Sequence, residues 1–165
     1  MISQTARLRL EALSLKDAPF ILNLLNSPGW LKYIGDRGVK SLADAEAYLT
    51  DGPMKDLETY GFSLFKVVLK STEEPIGLCG LLKRDFLDHP DIGFAFLGEY
   101  GGKGYAQEAS HAVLEWARET QGITKVLAIT LPENERSIHL LEKLGLNYER
   151  VVQYPDGASL SLYSN

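Results

Sequence analysis

Tyr100-Gly101-Gly102-Lys103-Gly104-Tyr105-Ala106 is the stretch on which the fold turns. Before it lies an apolar run, Ile92-Gly93-Phe94-Ala95-Phe96-Leu97, that reads as a strand. After it, Ala106-Gln107-Glu108-Ala109-Ser110 opens a helical pattern. Strand, glycine loop and helix start form a phosphate-binding layout. Glycine lets the backbone approach the ligand, and the free N–H groups of the first helical turn point at an anion. Two familiar phosphate loops are excluded. A Walker loop needs Ser or Thr after Gly-Lys, and Lys103 is followed by Gly104. A dinucleotide fingerprint needs a third glycine where Gln107 stands, and about 20 positions on there is no acidic residue, only Gln121-Gly122-Ile123-Thr124. Taken alone, the loop has a plainer alternative, a tight strand-to-helix turn.

The chain has 165 residues, 45% of them hydrophobic, enough for one domain with a core. Its net charge of −5 disfavours nucleic acid as a main partner, because phosphate neutralisation needs a basic surface, and suits a cationic co-substrate such as an amine. Cys79 is the sole cysteine, so one chain forms neither a disulfide nor a zinc cluster, and no metal is expected. Cys79 lies in an apolar run, where a buried inert thiol is the default reading against a nucleophile. No signal segment and no membrane-length apolar run is present, so the expectation is a soluble cytoplasmic protein without a membrane partner.

Along the chain, Arg7 to Leu13 alternates like a half-buried strand. Asp17 is placed to cap a helix through Phe20, Ile21, Leu24 and Leu25, which Asn26-Ser27-Pro28-Gly29 ends. Ser41-Leu42-Ala43-Asp44 predicts a helix start and a helix to about Thr50. Gly61 to Lys70 reads as a central strand, Ser71 to Glu74 as a hairpin turn, and Pro75 to Lys83 as its partner strand. A loop from Arg84 to Pro90 leads to the strand Ile92 to Leu97. The long helix follows, with Ala106, Ala109, Val113, Trp116 and Ala117 on one stripe and Gly122 at its end. Lys125 to Thr130 is a strand, and Arg136 to Leu144 a helix capped by Gly145. Strands Val151 to Tyr154 and Ala158 to Tyr163 flank Asp156-Gly157. The order predicts a single-domain α/β fold over residues 1–165, with a mixed, mostly antiparallel sheet flanked by helices.

This order, with these motifs, resembles the GNAT superfamily of acetyl-CoA-dependent N-acetyltransferases, and within it the branch of ribosomal-protein N-terminal acetyltransferases. The resemblance runs over nearly the whole chain. It rests on Arg7-Leu8-Arg9-Leu10 and Asp17, on Ile92-Gly93-Phe94 with Gly102 to Ala106 and Glu108-Ala109, and on Asn134-Glu135-Arg136-Ser137 with Glu142 to Leu146. It implies that Ile92–Leu97 splays from Lys125–Thr130, leaving a V that takes the pantetheine of acetyl-CoA along Phe94, Ala95, Phe96 and Leu97. The pyrophosphate would rest on Gly102, Lys103, Gly104, Tyr105 and Ala106, and Asn134 would bond the pantetheine arm. Gly93 would make a bulge aimed at the thioester. Two departures stand out. Glu99 occupies a position usually Gln or Arg, its charge offset by Lys103. Leu141 stands where many members carry a tyrosine acid, so that acid is absent.

The implied reaction is direct attack of a neutral amine on the thioester, the amine being a protein N-terminus or a small molecule. Asp91, just before the central strand, is the first candidate for the base, acting through water; the alternative is an exposed loop aspartate. Glu108 reads as a structural group on the first helical turn. Asn134 is equally a helix N-cap, and Ser137 is either a donor to the departing thiolate or a capping hydroxyl. Trp30 and Tyr33 fall where the family builds its acceptor pocket, or they cover the core. None of His89, His111 and His139 is assigned a role. The chain is expected to be a monomer or homodimer. A sensor that binds acyl-CoA without transfer, and a transferase using longer acyl chains, remain open alternatives.

Overall fold

The computed structural model describes residues 1–165. Alternation in Leu8-Arg9-Leu10-Glu11 buries both leucines, giving strand β2 (Leu8–Glu11), which folds back on a short β1 (Ser3–Gln4) that the pattern did not announce. Helix α1 (Ala18–Leu25) follows a 3₁₀ turn with Pro19 in its first turn. Asp17 does not cap α1 with its side chain. One carboxylate oxygen accepts the Ser14 N–H at 2.9 Å, and the other pairs with Lys66 Nζ at 2.8 Å, tying the turn to the sheet.

Asn26 ends α1 as expected, but Pro28 starts a new helix, α2 (Pro28–Tyr33), because proline at the first helical position gives up no bond. Ser41 caps α3 (Leu42–Leu49) by accepting the Asp44 N–H at 3.1 Å. The chain does not leave the helix at Thr50. Thr50–Met54 widens into a π turn around Pro53, whose missing N–H suits the looser ladder, and passes into α4 (Lys55–Tyr60). Gly61, at φ +80°, closes it.

Most remaining elements fall close to expectation: β3 (Leu64–Leu69), β4 (Glu74–Leu82), β5 (Asp91–Phe96), α5 (Tyr105–Gln121), β6 (Leu127–Thr130), α6 (Glu135–Lys143) and β8 (Ser159–Ser164), whereas β7 (Asn147–Gln153) starts four residues before the expected Val151. One eight-stranded sheet results, in the order β1-β2-β3-β4-β5-β6-β8-β7. Every neighbouring pair is antiparallel except β5 with β6. On one face α5 and α6 bury Ala109, Val113, Ala117 and Leu141 against Leu8, Phe65, Val67 and Leu81, with Trp116 edge-on to Phe65 at 5.1 Å. On the other, α1, α2 and α3 pack Ile21, Leu24, Trp30, Ala45 and Leu49 around Leu78.

Gly93 makes no bulge. The β4–β5 ladder runs through the Gly80–Gly93 pair without a break, and the nearest irregularity lies in β3 at Val67 and Val68. The missing side chains serve packing instead. A Cβ on Gly93 would meet Leu82 Cδ1 at 3.3 Å, and one on Gly80 would lie 2.0 Å from the Ser63 carbonyl oxygen. Gly80→Ala therefore forces β4 and β3 apart. It is expected to destabilise the fold by about 1–3 kcal/mol, the usual range for overpacking, read as a lower urea midpoint with an unchanged slope. An unchanged midpoint would show that the two strands part freely here.

Candidate active site

The site begins where two strands separate. β5 and β6 share one register, Asp91 opposite Leu127, next to a bond from the Leu127 N–H to Pro90 O at 2.9 Å. Beyond it they diverge into the V expected of the fold. The Leu97 N–H donates to Ile76 O at 3.0 Å, so main-chain groups of Asp91, Gly93, Ala95 and Leu97 belong to β4. Alternation turns the N–H and C=O groups of Phe94 and Phe96 into the opening. Of the four strand residues expected at the cofactor, these two offer main-chain partners. Ala95 and Leu97 instead pack toward the α1–α3 face.

The glycine loop stands at the wide end of the V. Gly102 and Gly104 take φ of +75° and +82°, conformations that disfavour a side chain, and Gly104 is the N-cap residue of α5. The first helical bond runs from Glu108 N–H to Gly104 O at 3.0 Å, which leaves the N–H groups of Tyr105, Ala106 and Gln107 free of helical partners. Two arginines join exposed Lys103 at this loop. The Arg136 guanidinium lies 3.1 Å from where a Cβ on Gly101 would stand. Arg7 Nη1 donates to Lys103 O at 3.0 Å, and its guanidinium sits 4.4 Å from the Tyr105 ring centre. Glu108 is structural, as read from the sequence. Its carboxylate accepts from the Thr5 hydroxyl, from Arg7 N–H at 3.1 Å and from Arg7 Nε at 2.9 Å. Partial burial pushes the Glu108 carboxyl up, but those hydrogen bonds outweigh it and hold the group below its ordinary range.

Asp91 is neither exposed nor in a loop. It is the first residue of β5, 1% exposed at the closed end of the V. Arg84 Nε donates to both carboxylate oxygens, at 3.0 and 3.1 Å, and Arg84 Nη1 donates to the Tyr154 hydroxyl at 3.2 Å. Burial pushes the Asp91 carboxyl up to about 6, against the pull of the Arg84 charge. Arg84 and Tyr154 were not singled out in the sequence. They lie seventy positions apart, and only the sheet brings them together.

On α6, Asn134 Oδ1 accepts the Ser137 N–H at 3.3 Å, so Asn134 is the N-cap and its side-chain NH₂ stays free. The half-buried Ser137 hydroxyl makes no hydrogen bond within the protein, which removes the capping reading. Leu141 is wholly buried in the core. Trp30 belongs to the core as well. It is 6% exposed among α1 and α3 side chains, its Nε1 unpartnered, and it offers no surface to an acceptor. Tyr33 is half-buried beside it, with Lys32 Nζ 4.9 Å from its ring centre. Cys79 is buried 3.6 Å from Ser110 Oγ, its thiol pushed up to about 12 by burial, so no thiolate forms. All three histidines are exposed, and no group of three or more His, Cys, Asp or Glu side chains is placed to hold a metal ion.

A splayed parallel pair beside a glycine loop at a helix start defines an acyltransferase-type fold. Residues 7–147 match the acetyltransferase (GNAT) domain, and the chain belongs to that family. It is an N-acetyltransferase. It is 30% identical over 146 residues to the uncharacterized N-acetyltransferase YnaD of Bacillus subtilis, covering 88% of this chain and 82% of that one. It superposes on a putative GnaT-family acetyltransferase from Bordetella pertussis with a TM-score of 0.85 at 24% identity, over 99% and 98% of the two chains. The ribosomal L7/L12 alpha-N-protein acetyltransferase RimL, solved in complex with coenzyme A, shares the fold with a TM-score of 0.84 at 14% identity, over 99% and 96%.

The raised Asp91 group fixes the sign of one pH effect. A folded-state pKa above the unfolded value of 3.8 gives stability that is complete below about pH 4 and lost as pH rises through about 6. Two units correspond to about 3 kcal/mol. The stability difference between Asp91→Asn and the wild type should therefore move by about that amount in favour of the variant from pH 4 to pH 7. A difference that stays flat in urea titrations would mean an ordinary carboxyl.

Proposed function

We propose that this enzyme moves the acetyl group of acetyl-CoA to a primary amine by direct attack within a ternary complex. The observation that carries the reading is the V between β5 and β6, with unpaired main-chain groups of Phe94 and Phe96 facing it and the glycine loop at its mouth. The pyrophosphate lies on the N–H groups of Gly102 to Ala106, assisted by Lys103 and by Arg136. The pantetheine arm follows β5 inward and takes a hydrogen bond from the Asn134 amide. Five residue steps separate Phe96 from Asp91, roughly 17 Å at the usual strand rise, which carries the thioester to the closed end.

There the amine nitrogen attacks the carbonyl carbon and the C–S bond breaks as the tetrahedral adduct collapses. Asp91, through a water, takes the proton that the ammonium gives up before attack, and the second proton, shed by the nitrogen as the adduct collapses, goes to the departing thiolate. A carboxyl titrating near 6 is ionised at neutral pH yet more basic than an ordinary carboxylate. The Ser137 hydroxyl donates a hydrogen bond to the departing thiolate, which is a tolerable leaving group. Tyr33 lies on the acceptor side. The amine is a peptide N-terminus or a small molecule, and a panel of peptides, polyamines, aminoglycosides and amino acids with acetyl-CoA identifies it.

Three variants test the assignments. Gly104→Val places a branched Cβ at φ +82° beside the phosphates and should weaken CoA binding at least tenfold, about 1.4 kcal/mol. Unchanged affinity by calorimetry on the folded variant would remove the loop from the site. Asp91→Asn should lower kcat by about 10²-fold and abolish the fall in kcat/KM below pH 6. A wild-type profile would sink Asp91 as base. Ser137→Ala should cost about tenfold in kcat with little change in melting temperature, whereas a melting loss with kcat intact would make Ser137 structural.

A further inference from the structure

We infer that Arg84 is a positioning residue for the reaction: its guanidinium fixes the Asp91 carboxylate where β5 and β6 part and ties it to Tyr154 at the end of β7. The inference rests on the reading of Asp91 as the base.

The geometry is that of a clamp with three attachments. Nε donates to both Asp91 oxygens at 3.0 and 3.1 Å, so the carboxylate is held across its width and cannot swing about its own axis without losing a bond. Nη1 reaches the Tyr154 hydroxyl at 3.2 Å. The Tyr154 ring packs edge-on against Phe86 at 5.4 Å, which returns the chain of contacts to the loop that carries Arg84. The clamp therefore joins the base to the loop before β5 and to the C-terminal hairpin. Strand alternation puts Asp91 on the same face of β5 as Ala95, which packs against the α1–α3 cluster, while Leu87 of the loop and Tyr154 of the hairpin pack with Leu127, Val152, Leu160 and Leu162.

Charge makes the clamp necessary. Asp91 is almost fully withdrawn from water, and an isolated buried carboxylate protonates rather than remain charged. The groups around it are few. Leu82 faces it from β4 and Leu127 from β6, both uncharged. Tyr154 is neutral. On α3, Tyr48 feels the same Arg84 charge together with Arg37 and Asp56, and burial keeps its phenol neutral. Arg84 is thus the one charge acting on Asp91. Without it the neutral carboxylic acid dominates further up the pH scale, and a neutral acid takes no proton from an ammonium.

The test compares Arg84→Met, Arg84→Lys and Asp91→Asn. Two readouts are followed from pH 5 to 9: kcat/KM with acetyl-CoA and the most active amine of the panel above, and the Asp91 carboxyl ¹³C signal, which needs no acceptor. Arg84→Met should raise the midpoint of both by at least one unit, so activity falls at least about fivefold more at pH 6 than at pH 8.5. Arg84→Lys keeps the charge and loses the fork. Its midpoint should stay within about half a unit while kcat falls several-fold. An unshifted carboxyl midpoint in Arg84→Met, or a wild-type kcat in Arg84→Lys, overturns the inference. If Arg84→Met does not fold, Arg84→Lys decides alone. An acid limb that persists in Asp91→Asn defeats the base reading instead, and the ¹³C midpoints still report whether Arg84 governs Asp91.

Discussion

The rest of the structure answers to one constraint: a parallel strand pair that is hydrogen-bonded at one end and open at the other. Main-chain N–H and C=O groups are costly to leave without partners once water is displaced. On β5 those of Phe94 and Phe96 have lost their neighbour strand, and the opening is the only place they can find one. A ligand able to pair as a strand would restore the ladder that β6 abandons. The neighbouring elements frame that opening. The β4–β5 ladder is kept tight by Gly80 and Gly93, and the crossover through α5 brings a helix N-terminus to the wide end. On its far side β6 is paired along its whole length with β8, which lies between β6 and β7.

Charge is distributed unevenly over this frame. The protein is acidic overall, yet Arg7, Lys103 and Arg136 converge on one loop. At physiological salt, surface charges farther than about 8 Å are largely screened, so the local cluster and not the net charge decides what the loop attracts. Arg7 does a second job there. By bonding Glu108 and the Lys103 carbonyl it ties the start of the chain to the loop and fixes the path of the glycines. At the closed end the balance is different. Burying Asp91 weakens the fold at neutral pH while making its carboxylate a better proton acceptor, so stability and basicity draw on the same burial in opposite directions.

How much of this could be read from residues alone follows from how local each signal is. The glycine loop, α5 with its apolar stripe and its Gly122 stop, and the Asp156-Gly157 hairpin are set by neighbours in sequence, and they stand where they were expected. The Thr50–Met54 π turn was missed because Gly52-Pro53 normally breaks a helix, and its survival depends on packing from elsewhere. Gly93 was read as a bulge when its purpose is to admit Leu82 and Leu64, contacts invisible along a single strand. Trp30 was placed on the acceptor side by resemblance to the family alone, yet α1 and α3 enclose it. Asp91 was singled out by position, but its burial and its partnership with Arg84 and Tyr154 arise only when loop, strand and hairpin meet.

The lone cysteine has a practical corollary. Cys79 lies in the middle of β4 with its proton held far above the working pH, screened by Ser110 and the α5 face of the core. The folded enzyme is consequently silent toward thiol-seeking reagents. Where a chromogenic disulfide counts free sulfhydryls, the folded protein therefore adds no background of its own. The same silence reverses on denaturation, when one equivalent per chain becomes visible, giving a stoichiometric optical report of how much of a preparation is folded.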